Sequence, residues 1–341
     1  MEHKVITFGE IMLRLAPHGY YRFVQTHDWE ATFGGGEANV SVSLANFGIN
    51  TQFVTKLPEH EIGQCALNAL RRYGVDTSHI VRGGTRLGVY YLEKGASQRP
   101  SKVIYDRAHS AIAEANAADF NWKEILAGAS WFHFTGITPA LGGALPAICL
   151  EACRTAKELG VTVSCDLNYR KKLWSKEQAG KTMAELCRYV DICIANEEDA
   201  ADVFGIHAEN TDAASGALNY AGYESVVKEL AARFGFQKVA VTLRQSRSAN
   251  DNGWSAMLYS GGACYFSKKY DIHIVDRVGG GDSFCAGLIY ACLNGYDEQQ
   301  SIEFAAAASC LKHSIEGDFN LVTAQEVHAL AGGDASGRVQ R

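Results

Sequence analysis

The chain has 341 residues, 47% of them hydrophobic and 21% charged, with a formal net charge of -6. This is the composition of an ordinary globular protein, and the length suits a large α/β domain with a small appendage. No overall basic field recommends nucleic acid as a partner, so an anionic substrate would have to be drawn in by local arginines.

The opening run, Met1 to Leu15, lacks the pattern of a secretory signal and reads as a first strand, "KVITFGE". No segment approaches the roughly 18 continuous apolar residues of a membrane span. Ten cysteines are scattered singly with no C-x-x-C pair. They read as reduced, mostly buried thiols, which points to a cytoplasmic protein without a membrane partner.

Next comes extended material from Tyr20 to Phe33, then a glycine cluster, "TFGGGEANVSVSLANFG" (Thr32 to Gly48), that opens a helical pattern. The first amides of such a helix are free to bind oxygens, and glycines beside Asn39 suit the close approach of a hydroxylated small molecule. The strand "TQFVTKL" follows, and then a second extended region without an intervening helix, Leu87 to Asp106. The two extended regions predict a small β-sheet lid over the α/β body.

From there strands and helices alternate. The strands are "ASWFHFTG", "VTVSCDLN", "DICIAN" and "KVAVTL", with helical patterns at Gly142 to Leu159 and Ser225 to Phe234. Such alternation predicts βαβ units, a mostly parallel sheet covered on both faces, and ligands at the carboxyl ends of the strands. "SKEQAGKT" (Ser175 to Thr182) nearly spells a phosphate-binding loop, but Ser175 stands where the first glycine belongs and no strand leads into it, so it is read as accidental. Gly205 to Glu224 and Arg244 to Trp254 read as loops, and the terminal "GGDASGRVQR" as a disordered tail.

The most informative stretch is "DRVGGGDSFCAG", Asp276 to Gly287. Ile272 to Val275 can form a strand, and the apolar face of Phe284, Cys285, Leu288, Ile289 and Cys292 predicts a helix starting near Asp282. Three glycines before that start aim backbone amides and the helix dipole at one spot, which suits a transferring phosphoryl group. Asp282 can accept the proton of an attacking hydroxyl; the plainer alternative makes it only a helix cap.

"DRVGGGDSFCAGLIYACLNG" resembles the C-terminal signature of the PfkB (ribokinase-like) carbohydrate kinases, and "GGGEANVSVSLANFG" resembles their sugar-contacting first signature. Order, spacing, the lid-like strands between them and "ANEED" extend the resemblance over nearly the whole chain. Arg277, Val278 and Gly280 depart from the commoner Thr, Thr and Ala. With "CLKHSIEGDFN" downstream, this form is similar to the 2-keto-3-deoxygluconate kinases of that family, more than to its kinases for neutral sugars or adenosine.

The resemblance implies a ribokinase-like three-layer α/β/α fold over residues 1–330. Its lid would be formed by about residues 11–33 and 87–107, and residues 331–341 would be the tail. It implies ATP and Mg²⁺ as cofactors, Asp282 as catalytic base, and Gly279, Gly280 and Gly281 as the anion hole. Gly34, Gly35 and Asn39 would contact sugar hydroxyls, with Tyr90, Tyr105, Arg107 and Arg170 gripping an acid sugar. Two arginines suit a carboxylate, which a neutral sugar lacks.

On the nucleotide side the resemblance implies Asp166, Asn168, Asn196, Thr242 and Arg244. Asn196 and Asp199 would hold Mg²⁺ through water, Asp199 replacing the family's glutamate and Glu197 or Glu198 compensating. A K⁺ ion beside Asp276 and a homo-oligomer formed through the lid are further implications. The rival readings are a kinase for another sugar, a nicotinamide-dependent oxidoreductase and a non-catalytic sugar-binding regulator. The oxidoreductase needs an acidic residue about 20 positions beyond a G-x-G-x-x-G opening the first βαβ unit, and no such arrangement is present. The intact Asp282 argues against the regulator.

Overall fold

The structure is a computed structural model that describes residues 3–196, 198–208, 219–334 and 337. Glu197, part of the expected loop Gly205 to Glu224 and most of the expected tail lie outside the described residues.

Short runs of β-branched and aromatic residues form a nine-stranded sheet. Its order runs Ala263–Phe266, Asp251–Ser260, Lys238–Ser246, Ile192–Ala195, Thr162–Asp166, Trp131–Thr135, Lys4–Phe8, Asn50–Val54, with Tyr270–His273 also paired to Asp251–Ser260. From Lys238–Ser246 to Asn50–Val54 the pairing is parallel throughout, and beyond it antiparallel. Both faces are covered, as continuous apolar strands demand. The helices Leu145–Glu158, Lys176–Leu186 and Tyr220–Phe234 pack on one face. Gly36–Asn46, Gly280–Leu293, Glu298–Lys312 and Ala324–Ala331 pack on the other. The fold is ribokinase-like α/β/α.

A separate four-stranded sheet has the order Glu30–Gly34, Met12–Ala16, Val89–Glu93, Lys102–Asp106. The first extended region is thereby corrected: Glu30–Gly34 pairs with Met12–Ala16, and Tyr20 to Val24 forms no strand. Alternation explains the choice, because Met12, Arg14 and Ala16 all turn inward from one strand face.

Two further expectations change. Arg244 to Trp254 is no open loop, since Arg244 pairs with Trp254 across a hairpin whose turn is closed by Ser248 and Asp251. Its polar residues lie on strands because one side of that hairpin borders a cavity rather than core. The helix of the glycine turn begins at Gly280, with Gly279 as its cap, so Asp282 is the third helical residue and not the cap. The near-phosphate loop is an ordinary helix start, with Ser175 and Gln178 forming a reciprocal capping box.

Candidate active site

A cavity of about 510 Å³ opens where the carboxyl ends of the parallel strands face the four-stranded sheet. Asp282 lies at its centre, carried on the first turn of the helix Gly280–Leu293. Asn39, from the first turns of the helix Gly36–Asn46, donates to Asp282 Oδ2 at 2.6 Å. A Cβ on Gly36 would come within 3.6 Å of Asp282 Oδ1, so the two glycine clusters converge on this carboxylate. Burial pushes the Asp282 carboxyl up to about 6, and the Asn39 hydrogen bond opposes the rise. The group is therefore a better proton acceptor for an alcohol than an exposed aspartate would be.

The glycine turn behind it is close-packed. Gly279 sits at φ 82°, and a Cβ there would stand 2.0 Å from the Asp318 carbonyl oxygen, which excludes any side chain. Gly280 has a different reason. A Cβ on it would reach 2.5 Å from His313 Cε1, so the imidazole fills the space that alanine would need. The His313 ring also packs tilted against Trp254 at 4.9 Å and bonds through Nδ1 with the Ser309 carbonyl, while Ser309 Oγ donates to the Gly280 carbonyl. The helix-start amides beyond Gly279 face the cavity through Gly279 and Gly281, whereas Gly280 turns its Cα toward His313 and does not line it. The departure from alanine at Gly280 thus answers to His313, and Arg277 lines the cavity while donating to the Ala249 carbonyl.

At the end of the cavity nearest the four-stranded sheet the structure gathers Gly35, Asn39, Tyr90, Tyr105 and Arg107 as expected, and adds Glu10 and Glu37. Several roles need correction. Gly34 does not line the cavity; the Asp318 carboxylate fills the space at its Cα. Tyr90 and Tyr105 face each other across paired strands with ring centroids 5.9 Å apart, and the Tyr90 hydroxyl donates to Asp318. Arg107 lies just past its strand, over the Tyr105 ring, and its Nε donates to Glu10 Oε2 at 2.7 Å. The arginine is thus half neutralised before a substrate arrives.

Glu37 is wholly buried, and its Oε1 accepts from the Thr135 amide, the Thr135 hydroxyl and the Thr138 hydroxyl. Burial pushes its carboxyl up to about 7, against those hydrogen bonds.

On the far side stand Asp166, Asn168, Arg170, Asn196, Asp199, Thr242 and Arg244, all lining the same cavity. Burial, then the charges of Asp199 and Asp282, hold the Asp166 carboxyl well above the usual range. Asp199 is also raised by burial, although the amides of Asn196 and Tyr169 donate to its two oxygens. The Asn196 side chain in turn caps the amides of Glu198 and Asp199. Among the described residues no three acidic, histidine or cysteine groups converge tightly enough to ligate a metal directly. Three buried carboxylates facing one cavity, with Arg170 as the cation that relieves them, still fit a hydrated Mg²⁺ held through its waters.

The K⁺ expectation meets a different environment. Asp276 Oδ2 accepts from Arg14 at 2.5 Å and from the Gly317 amide, and its Oδ1 from the Val278 amide. Arg14 also donates to Asp318 at 2.8 Å. Burial works against the Arg14 charge, but Asp276 and Asp318 hold its pKa above the ordinary value. The cation beside Asp276 is therefore a guanidinium of the chain itself.

The sequence reading missed Glu10, Glu37, Arg14, Asp318 and His313. A carboxylate inside the small-residue run "GGGEANVSVS", the buried-face position of Arg14, and the stretch "CLKHSIEGDFN" around His313 and Asp318 were the available signals; Glu10 had none.

A glycine turn opening a helix, facing a buried aspartate beneath a second sheet, is an arrangement that fits a sugar kinase. The chain is a member of the pfkB family of carbohydrate kinases, whose family pattern it matches over residues 2–320. Its fold superposes on the crystal structure of a 2-dehydro-3-deoxygluconokinase from Thermotoga maritima with a TM-score of 0.94 and 54% identity, covering 97% of this chain and 100% of that one. It also superposes on a putative 2-keto-3-deoxygluconate kinase from Enterococcus faecalis, at TM-score 0.91 and 27% identity, covering 100% and 99%. Among characterised sequences it is 33% identical to a 2-dehydro-3-deoxygalactonokinase of Haloferax volcanii, over 98% of this chain and 99% of that protein. No described helix is long and apolar enough to cross a membrane.

Proposed function

We propose that this carbohydrate kinase transfers the γ-phosphoryl group of ATP to the 6-hydroxyl of 2-keto-3-deoxygluconate, giving the 6-phosphate. The observation that carries the reading is the convergence of both glycine clusters on Asp282, whose carboxylate is tied to Asn39 at 2.6 Å. Asp282 accepts the hydroxyl proton as the oxygen attacks, and the amides of the glycine turn stabilise the oxygens of the transferring group. Mg²⁺, when bound, would neutralise the phosphate charge. Asn196 and Asp199 would meet its waters, and Asp166 the same hydration shell. Thr242, Arg244 and Asn168 face the nucleotide, and the four-stranded sheet acts as a lid that excludes water.

For the acid end of the sugar, Arg107 and Arg170 are the cations at hand. Closely similar proteins carry 2-dehydro-3-deoxygluconokinase and 2-dehydro-3-deoxygalactonokinase names, so the galactonate epimer is the second reading. A coupled ADP-release screen of both epimers against fructose, ribose, gluconate and adenosine tests the proposal. A preference for either acid sugar supports the arginine assignment, and a clear preference for a neutral sugar overturns it while leaving the kinase.

We infer a cytoplasmic location, where ATP and a sugar acid would be available. The lid's outer strands, Glu30–Gly34 and Lys102–Asp106, have open edges, and Val24 nearby is 91% exposed. We read that surface as the contact of a homo-oligomer.

A further inference from the structure

Lys312, at the end of the helix Glu298–Lys312, is fully buried, an arrangement a lysine tolerates only with partners. Its ammonium donates to the Ile315 carbonyl at 3.1 Å, and its Cε lies 3.2 Å from where Gly279 would carry a Cβ. The side chain therefore runs directly beneath the first glycine of the anion-binding turn. Asp276 and Asp318 are the carboxylates that draw on it most strongly.

The chain closes this compartment around itself. The Gly317 amide holds Asp276, and the Asp318 carbonyl packs on Gly279. Arg14 pairs with both Asp276 and Asp318, and Lys312 adds a second buried cationic side chain, whose ammonium meets the Ile315 carbonyl. Arg277 turns the other way, to the Ala249 carbonyl. A buried backbone carbonyl near carboxylates is an environment that a monovalent cation would otherwise occupy. An added K⁺ would place a further cation beside Lys312.

We propose that the Lys312 ammonium is this kinase's built-in monovalent cation. It holds the Gly279 turn in shape and sets a positive charge beneath its amides, so that turnover does not depend on K⁺. Lys312 touches no substrate and is a positioning residue. The proposal rests on the kinase reading above.

The test compares purified full-length protein in potassium chloride and in tetramethylammonium chloride at equal ionic strength, reading ADP release and melting temperature. Wild-type turnover and melting temperature should be the same in both salts. Lys312→Ala should lose at least about tenfold in kcat in tetramethylammonium and regain much of it in potassium or ammonium, with a potassium-specific rise in melting temperature. Lys312→Gln, which retains a donor but no charge, should show the loss with less rescue. Severalfold activation or potassium-specific stabilisation of the wild type would overturn the proposal, and that measurement decides even if the variants fail to fold. Full turnover of Lys312→Ala in tetramethylammonium would do the same. Failure of the kinase reading would look different, with no ADP release in any salt.

Discussion

Two groups of buried carboxylates lie on either side of the Gly279 turn, and the chain treats them oppositely. Asp276 and Asp318 are closed off with Arg14, which pairs with both, and Asp318 also accepts from the Tyr90 hydroxyl. Asp166, Asp199 and Asp282 face the cavity with Arg170 as the nearby cation that lowers them, and all three are raised, first by burial. The first arrangement fixes geometry. The second stores an electrostatic demand that a hydrated metal, a nucleotide's counterions or a substrate proton can meet.

Removing a charge on the open side should injure chemistry and spare the fold. Asp282→Asn is expected to lower kcat by about 10²- to 10⁴-fold, measured by coupled ADP release. The same variant should melt higher by a margin that grows from about pH 4 to about pH 6 and stays constant above. Folded Asp282 holds its proton more tightly than the unfolded chain does, so its ionised form burdens the fold there. Near-wild-type turnover would remove Asp282 from the mechanism.

Removing a charge on the closed side should do the reverse. Arg14→Ala leaves two buried carboxylates short of a partner and should destabilise by about 3–5 kcal/mol in denaturant titrations. A loss well under 1 kcal/mol would mean that water enters the compartment and that it is not sealed.

Gly280→Ala tests the wall between the two sides. Overpacking against His313 should cost about 1–3 kcal/mol and lower kcat, and adding His313→Ala should restore part of both. If the double variant is no better than the single, the imidazole is not what requires glycine. Next in size is pH: kcat/KM should fall as pH drops through about 6, where Asp282 takes up its proton. A flat profile down to pH 5 would contradict the raised value.

The smallest effect belongs to Glu37. Its carboxyl, at about 7, already shares its proton near neutrality. Glu37→Gln should barely change the melting temperature below about pH 4.5 and raise it by a margin that grows up to about pH 7 and is constant above. A large loss at pH 6 would mean that the ionised form is what holds Thr135 and Thr138.

Much of this molecule follows from local order in the chain. The β-branched runs set the parallel strands, because the backbone periodicity of a buried strand is written in consecutive residues. The two glycine clusters and Asp282 likewise announce a helix-start anion site, since all its donors come from a few adjacent amides. Tertiary structure alone decided the partners of each charge. Arg107 looked like a free sugar contact until folding set Glu10 beside it, 97 residues away in sequence. Asp276 looked like a cation site until Arg14 arrived from 262 residues away. Gly280 looked like a mark of substrate choice, yet His313, just past the end of another helix, is what excludes alanine. Hydrogen-bond and steric partners of that kind lie at sequence separations where no periodic pattern survives, so only the packed chain could name them.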